Sequence, residues 1–425
     1  MLDNHPRGLF VLFFTEMWER FGFYVLMAIF VLYMDEKLGW DDATKGDYYG
    51  WFLGAVYFIP IAGGWLGDRV LGQRNTIRLG AVLMVMGYVA LAFSSRDQIA
   101  PFLAGLALVA TGTGIFKPNV SVMVGNLYAD GSKFKDAGFN IYYMGVNLGA
   151  AIAPLVATLI HTIFNSYNIS FGAAAVGMLL SMVIFQSGRR HLVTAETKGA
   201  DTRATGVHSD ASGARHEDRQ RIVTLAILFA IVVFFWIAFY QNGFALTLFA
   251  QRSTVVSAVL KPETYQFFNP FFILTLTPVL VGVFGRMRGR GKEPSSATKI
   301  FAGMFISGFS MLVMVGAAYA GGDRDQNIMS PTWLIASYFV ITISEILVSP
   351  MGQSFVSKVA PRNIRGLMMG CWFGATAMGS YGSGLLGKSY SSFAHHDYFL
   401  IIAALLFCSS VLVLFFLKRL NRFSQ

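Results

Sequence analysis

The sequence predicts an all-helical membrane protein with twelve transmembrane helices in two six-helix halves, and three observations carry that expectation. Its 425 residues are 55% hydrophobic and only 13% charged, a balance too apolar for a soluble globular chain. Apolar runs close to the roughly 20 residues that a bilayer crossing needs fall at about 8–34, 47–67, 75–94, 99–125, 138–163, 170–187, 222–249, 263–285, 299–320, 332–357, 365–388 and 397–417. One extended polar stretch, Gly188 to Gln220, lacks apolar periodicity and separates six runs from six. The expected domains are therefore a bundle over 1–187, a polar cytoplasmic linker over 188–221 and a second bundle over 222–425.

A formal net charge of +10 has the sign that nucleic-acid binding needs, but the Lys and Arg lie in short segments between apolar runs. With both termini assigned to the cytoplasm, 24 of the 33 cations fall on that side and seven on the other, leaving Arg20 and Lys117 inside spans. That asymmetry follows the positive-inside rule, so no nucleic acid is expected and the cytoplasmic membrane is. The first run has no small-residue cleavage pattern behind it and reads as a retained helix. Cys371 and Cys408 sit in apolar runs and are expected to be buried thiols rather than a disulfide. His161, His395 and His396 fall at span ends without ligand spacing to membrane acids, so neither metal nor cofactor is expected. A membrane enzyme or receptor would want a nucleophile-base set or an appended soluble domain, and the sequence offers neither.

Charges inside spans cost at least about 2.5 kcal/mol each on insertion scales, so they mark function. Glu16, Glu19 and Arg20 are spaced i, i+3 and i+4 in the first run, on one helical face, with Tyr24 one turn further along. Lys117 lies deep in the fourth run, after Thr111-Gly112-Thr113-Gly114 and before Pro118-Asn119. There glycines permit close approach and the proline removes a backbone hydrogen bond. Glu345 is the acid expected inside a span of the second half, and a carboxyl group able to change charge near working pH is material for a proton switch. Asn147 and Asn269 are span amides that suit helix-helix glue and ligand contact equally.

The loop Gly64-Trp65-Leu66-Gly67-Asp68-Arg69-Val70-Leu71-Gly72-Gln73-Arg74 resembles the loop signature of the major facilitator superfamily, whose two halves surround a central cavity. Gly64, Asp68 and Arg69 are its candidate conformational residues: the turn needs glycines, and Asp68 can pair with an Arg or a helix N-terminus. The runs Glu16-x-x-Glu19-Arg20-Phe21, Tyr57 to Arg69, Gly112 to Val120, Tyr143 to Gly149, Phe235 to Phe239, Ser344 to Pro350 and Met368 to Phe373 together closely resemble the proton-dependent oligopeptide transporter family.

The resemblance implies a proton-coupled symporter that imports di- and tripeptides or peptide-like compounds, working as a monomer. It assigns Glu16, Glu19, Arg20, Lys117 and Glu345 to proton coupling. Arg20 and Lys117 are also candidates for the peptide carboxylate, while Glu345, Asn147 and Asn269 would face the amine. Tyr24, Tyr57, Tyr240 and Trp372 would line the substrate region. Three departures stand out: Met27 replaces a second arginine usual in the family, Tyr240 replaces a helix-7 acid, and Phe23 replaces a tyrosine. The arginine and the acid can pair in the family, and losing both removes the pair without stranding a charge. Closure would then use apolar or hydrogen-bonded contacts, with Met27, Tyr240 and Gln241 as candidates. The same departures keep open a divergent member that moves another substrate, such as a modified peptide, amino acid or drug-like compound, or that exports one.

Overall fold

The computed structural model describes residues 5–129, 132, 134–193, 213–321, 323–361 and 364–422. Of the expected linker, residues 194–212 lie outside the described residues. Among the described residues twelve long helices follow in order: α1 (Arg7–Leu32), α2 (Asp42–Leu66), α3 (Gln73–Ala92), α4 (Ile99–Asn126), α5 (Lys135–Phe164), α6 (Tyr167–Ser187), α7 (Gly213–Phe239), α8 (Phe268–Gly289), α9 (Ser296–Gly321), α10 (Pro331–Val359), α11 (Arg365–Gly387) and α12 (His395–Arg422). Among the described residues, 11 helices are long and apolar enough to cross a membrane. The remaining one, α11, is as long as the others but carries glycine at 366, 370, 374, 379, 382, 384 and 387, which dilutes its hydropathy. No strand forms among the described residues; the loops pair only at Thr254 and Met329.

Two compact units emerge, one of residues 1–40 and 55–207, the other of residues 41–54 and 208–425. Within the first, helices meet through small residues, as membrane helices do where there is no water to expel. A Cβ on Gly80 of α3 would come within 2.8 Å of the Gly112 carbonyl oxygen of α4, and one on Gly22 of α1 within 3.1 Å of the Ala174 oxygen of α6. In the second unit Gly379 of α11 accepts the Trp236 side chain of α7, and Gly303 of α9 lies 2.9 Å, measured from such a Cβ, from the Ser344 carbonyl of α10.

Element ends follow local chemistry. Ser330 caps α10 by accepting from the Thr332 amide, with Pro331 in the first turn where its missing N–H costs nothing. Asp323 accepts the His396 amide at 2.9 Å, satisfying a free donor at the start of α12. The seventh apolar run is not one helix: α7 stops at Phe239, a tight turn occupies Tyr240–Gly243, and an eight-residue helix runs Ala245–Arg252. Irregular backbone at membrane depth needs internal partners. The Tyr240 carbonyl accepts from the Tyr49 hydroxyl at 2.8 Å, and the Asn242 carbonyl from Gln266 Nε2 and the Tyr338 hydroxyl, both at 3.0 Å.

The cysteines depart from expectation. Cys371 and Cys408 are free but exposed on the protein surface rather than buried in the bundle. An apolar run specifies depth in a membrane but not which way a residue faces.

Candidate functional site

In the first unit, α1 buries its charged face. Glu16 and Glu19 are 0% exposed and Arg20 3%. Arg20 donates through both Nε and Nη2 to the two Glu19 oxygens, the Nη2 bond being 2.6 Å, and its Nε stands 3.5 Å from Glu16 Oε1. The planar guanidinium suits such a bidentate grip. It also lies 4.9 Å from the centroid of the Phe23 ring. The residue that replaces the family's tyrosine thus still contacts the cation, through its π face instead of a hydroxyl. Tyr24 is half-buried and packs edge-on against Phe23.

Lys117 is half-buried on α4 and its ammonium stands 5.9 Å from the Tyr57 ring centroid. It lies within electrostatic reach of Arg20, Glu16 and Glu19, so the structure brings together the four charges that the sequence places inside the first six spans. Two carboxylates and two cations balance. The turn that holds Lys117 depends on a residue sequence reasoning passed over, Asn119. Its buried amide donates to the Gly63 carbonyl of α2 at 2.9 Å and to Ile115 O, four residues back, at 2.7 Å. A polar residue beside a mid-span proline was the available signal. Asn147, 4% exposed, donates to the Tyr143 carbonyl at 2.9 Å and so uses its amide within α5.

At the α2–α3 connection the helix continues through a wider turn, Gly67–Leu71, and ends at Gly72, whose φ of 74° is the conformation glycine accepts without strain. Gly64 has open space around it, while Gly63 and Gly67 are the glycines that α4 crowds, the latter against Asn119. Asp68 and Arg69 are exposed, and Asp68 accepts from Gln73 Nε2 at 3.3 Å, at the first residue of α3.

The second unit pairs Asn269 of α8 with Glu345 of α10. The amide donates to Glu345 Oε2 at 2.8 Å and to Thr342 Oγ1 at 3.1 Å, and Thr342 in turn donates to the Tyr338 carbonyl at 2.6 Å. Trp372 is 1% exposed, seated against Gly352 of α10. Tyr240 is 8% exposed and stacks on Trp236 with centroids 5.7 Å apart. Gln241, fully buried, donates to the Ser383 carbonyl at 2.9 Å and accepts from the Tyr398 hydroxyl at 2.9 Å, linking α11 and α12. Among the described residues no group of His, Cys, Asp and Glu could hold a metal.

Long apolar helices that bury an acid-base set at mid-length define a polytopic membrane transporter of the major facilitator fold. The model of the POT family matches residues 74–207 and 196–401. The chain is 31% identical to the uncharacterized transporter YclF of Bacillus subtilis, over 91% of this chain and 89% of that one. It is 29% identical to the dipeptide and tripeptide permease A of Escherichia coli, over 90% of this chain and 85% of that one. A crystal structure of a peptide transporter POT in complex with sulfate superposes with a TM-score of 0.88 at 29% identity, covering 99% and 96% of the two chains. One of a POT family transporter in complex with 5-aminolevulinic acid gives 0.87 at 26% identity, covering 98% and 97%. This chain belongs to the POT family.

Proposed function

We propose that the chain is a proton-coupled symporter that imports di- and tripeptides or close analogues across the cytoplasmic membrane by alternating access, working as a monomer with both termini in the cytoplasm. The observation that carries this reading is the balanced set of charges on α1 and α4, with Glu16, Glu19 and Arg20 buried and Lys117 half-buried beside them. Adding one proton to such a set leaves it with a net positive charge in a low-dielectric setting, which attracts a peptide carboxylate. Losing the proton removes that attraction, so proton and peptide affinities are linked. Glu345, oriented by Asn269, supplies the opposite charge for a peptide ammonium. Relatives bearing permease and peptide-transporter names support the substrate class.

The test is uptake of a labelled dipeptide into proteoliposomes under an imposed pH gradient. Gradient-dependent accumulation is expected, and its absence across a broad peptide panel rejects the peptide assignment. A second reading, transport of another small zwitterion, is favoured by Met27 and Tyr240. They are 7% and 8% exposed where the family resemblance leads one to expect a charged pair. Stabilisation of the purified protein by amino acids or modified peptides, and not by dipeptides, would select it.

A further inference from the structure

Helices α3 and α6 pack against each other within the first unit, and arginines gather where α3 begins and α6 ends. Arg74 and Arg78 stand one turn apart on the same face of α3, while Arg189 and Arg190 lie in the tight turn that follows α6. Arg74 Nη2 donates to the Arg189 carbonyl at 3.1 Å, which ties that turn to the start of α3. Arg78 bridges the two helices: Nη2 donates to Gln186 Oε1 of α6 at 2.7 Å and Nη1 to Asn75 Oδ1 at 3.4 Å.

Those partners are neutral. Arg78 is half-buried, Arg189 and Arg190 are exposed, and among the described residues none of the three meets a carboxylate. Elsewhere in the chain Arg221 pairs with Glu217 at 2.7 Å and Arg288 with Glu293 at 2.5 Å. An arginine that only oriented the chain in a membrane would need its charge and nothing more. Arg78 is instead held in a set direction by two side-chain amides, with its charge uncompensated and further N–H donors to spare.

From the Arg78–Gln186 contact an apolar furrow runs toward the middle of both helices. Val82 and Met86 follow Arg78 along its face of α3, and Val183 and Leu179 precede Gln186 along its face of α6, each at helical spacing. They are 42%, 53%, 56% and 41% exposed. Cations at the mouth of an aliphatic furrow match the two parts of a phospholipid, a phosphate and an acyl chain.

We propose that Arg78, Arg189 and Arg190 bind the phosphodiester of an anionic phospholipid, one of whose acyl chains lies between Val82 and Met86 of α3 and Val183 and Leu179 of α6. Planar guanidinium forks suit phosphate oxygens, and each cation near the surface strengthens the hold on an anionic lipid. A free phosphate would use only the polar part of the site, so the lipid is the occupant that both parts fit. The proposal needs neither a particular substrate nor proton coupling.

The test titrates phosphatidylglycerol into the delipidated full chain and counts retained lipids by native mass spectrometry. One phosphatidylglycerol should be held more tightly than the rest, with no counterpart for phosphatidylcholine. Arg78→Gln should lower the affinity for that lipid about fivefold. Arg286→Gln, which removes an exposed arginine of α8, should leave it unchanged. Equal losses in the two variants, or equal retention of phosphatidylcholine, overturn the proposal. If Arg78→Gln does not fold, Arg189→Gln carries the same comparison. Val183→Trp fills the furrow without altering charge and should weaken retention several-fold, and unaltered binding overturns the acyl-chain seat. Inorganic phosphate in large excess should not displace the lipid, and displacement would show a small-anion site instead.

Discussion

Asn269 reaches 76 positions along the chain to place its amide nitrogen 2.8 Å from a carboxylate oxygen of Glu345. The contact fixes the carboxyl group of the half-buried Glu345 as an acceptor of set orientation. A hydrogen bond to a charged group contributes about 1.5–3 kcal/mol. Asn269→Leu should therefore weaken binding of a dipeptide by at least about tenfold. N-acetylated dipeptides, which lack the ammonium, should be affected much less. Calorimetric titration checks both, and equal losses for the two ligands would place Asn269 outside amine recognition.

Arg20 is the shared counter-ion of two buried carboxylates. Arg20→Met breaks the buried pair with Glu19 and leaves two carboxylates against Lys117 alone, and should cost about 3–5 kcal/mol of stability. Glu19→Gln leaves Arg20 with Glu16 at 3.5 Å and should cost less. Thermal unfolding of the purified variants gives the order, and a larger loss for Glu19→Gln would contradict the geometry.

Transport separates the charged set from a purely structural one. Glu16→Gln and Glu19→Gln should each abolish gradient-driven uptake while leaving counterflow exchange measurable, because exchange needs no net proton movement. Intact proton-driven uptake in both variants rejects their assignment to coupling.

Gly67 and Asn119 should couple. A Cβ on Gly67 would collide with Asn119 Oδ1, and overpacking costs about 1–3 kcal/mol. Gly67→Ala should thus destabilise the protein on its own and do so much less in an Asn119→Ala background. A double-mutant cycle by thermal unfolding measures the difference, and strict additivity would refute the contact.

Acid sensitivity should arise outside the spans at Glu293, between α8 and α9. Hydrogen bonds from Arg288, at 2.5 and 3.0 Å, and from Lys299, at 2.6 Å, draw its carboxyl down from 4.5 to about 2. Because the folded value lies below the unfolded one, its stabilising contribution is complete above about pH 4.5 and fades as pH falls toward 2. The melting-temperature gap between the parent chain and Glu293→Gln should close over that window, and a gap constant with pH would exclude the linkage.

Much of this architecture is legible in the chain because hydropathy and helical spacing are local properties. Twelve apolar runs mark twelve long helices, and Glu16, Glu19 and Arg20 fall on one face through their i, i+3 and i+4 spacing alone. Asn119 was visible beside Pro118 but its role was not, because that role depends on Gly63, 56 residues away, and the broken seventh span was hidden because its carbonyls are satisfied by Tyr49, Gln266 and Tyr338 from other elements.

The sequence by itself determined the membrane class, the helix inventory, the family resemblance and the intramembrane charges, since each is written in a window of a few turns. Tertiary structure alone decided which partner each polar group meets, that Trp372 is sealed against Gly352, that the cysteines face outward, and that α2 divides its allegiance at residue 54. Hydrogen bonds and ion pairs act over about 3 Å, and only folding brings residues distant in the chain within that reach.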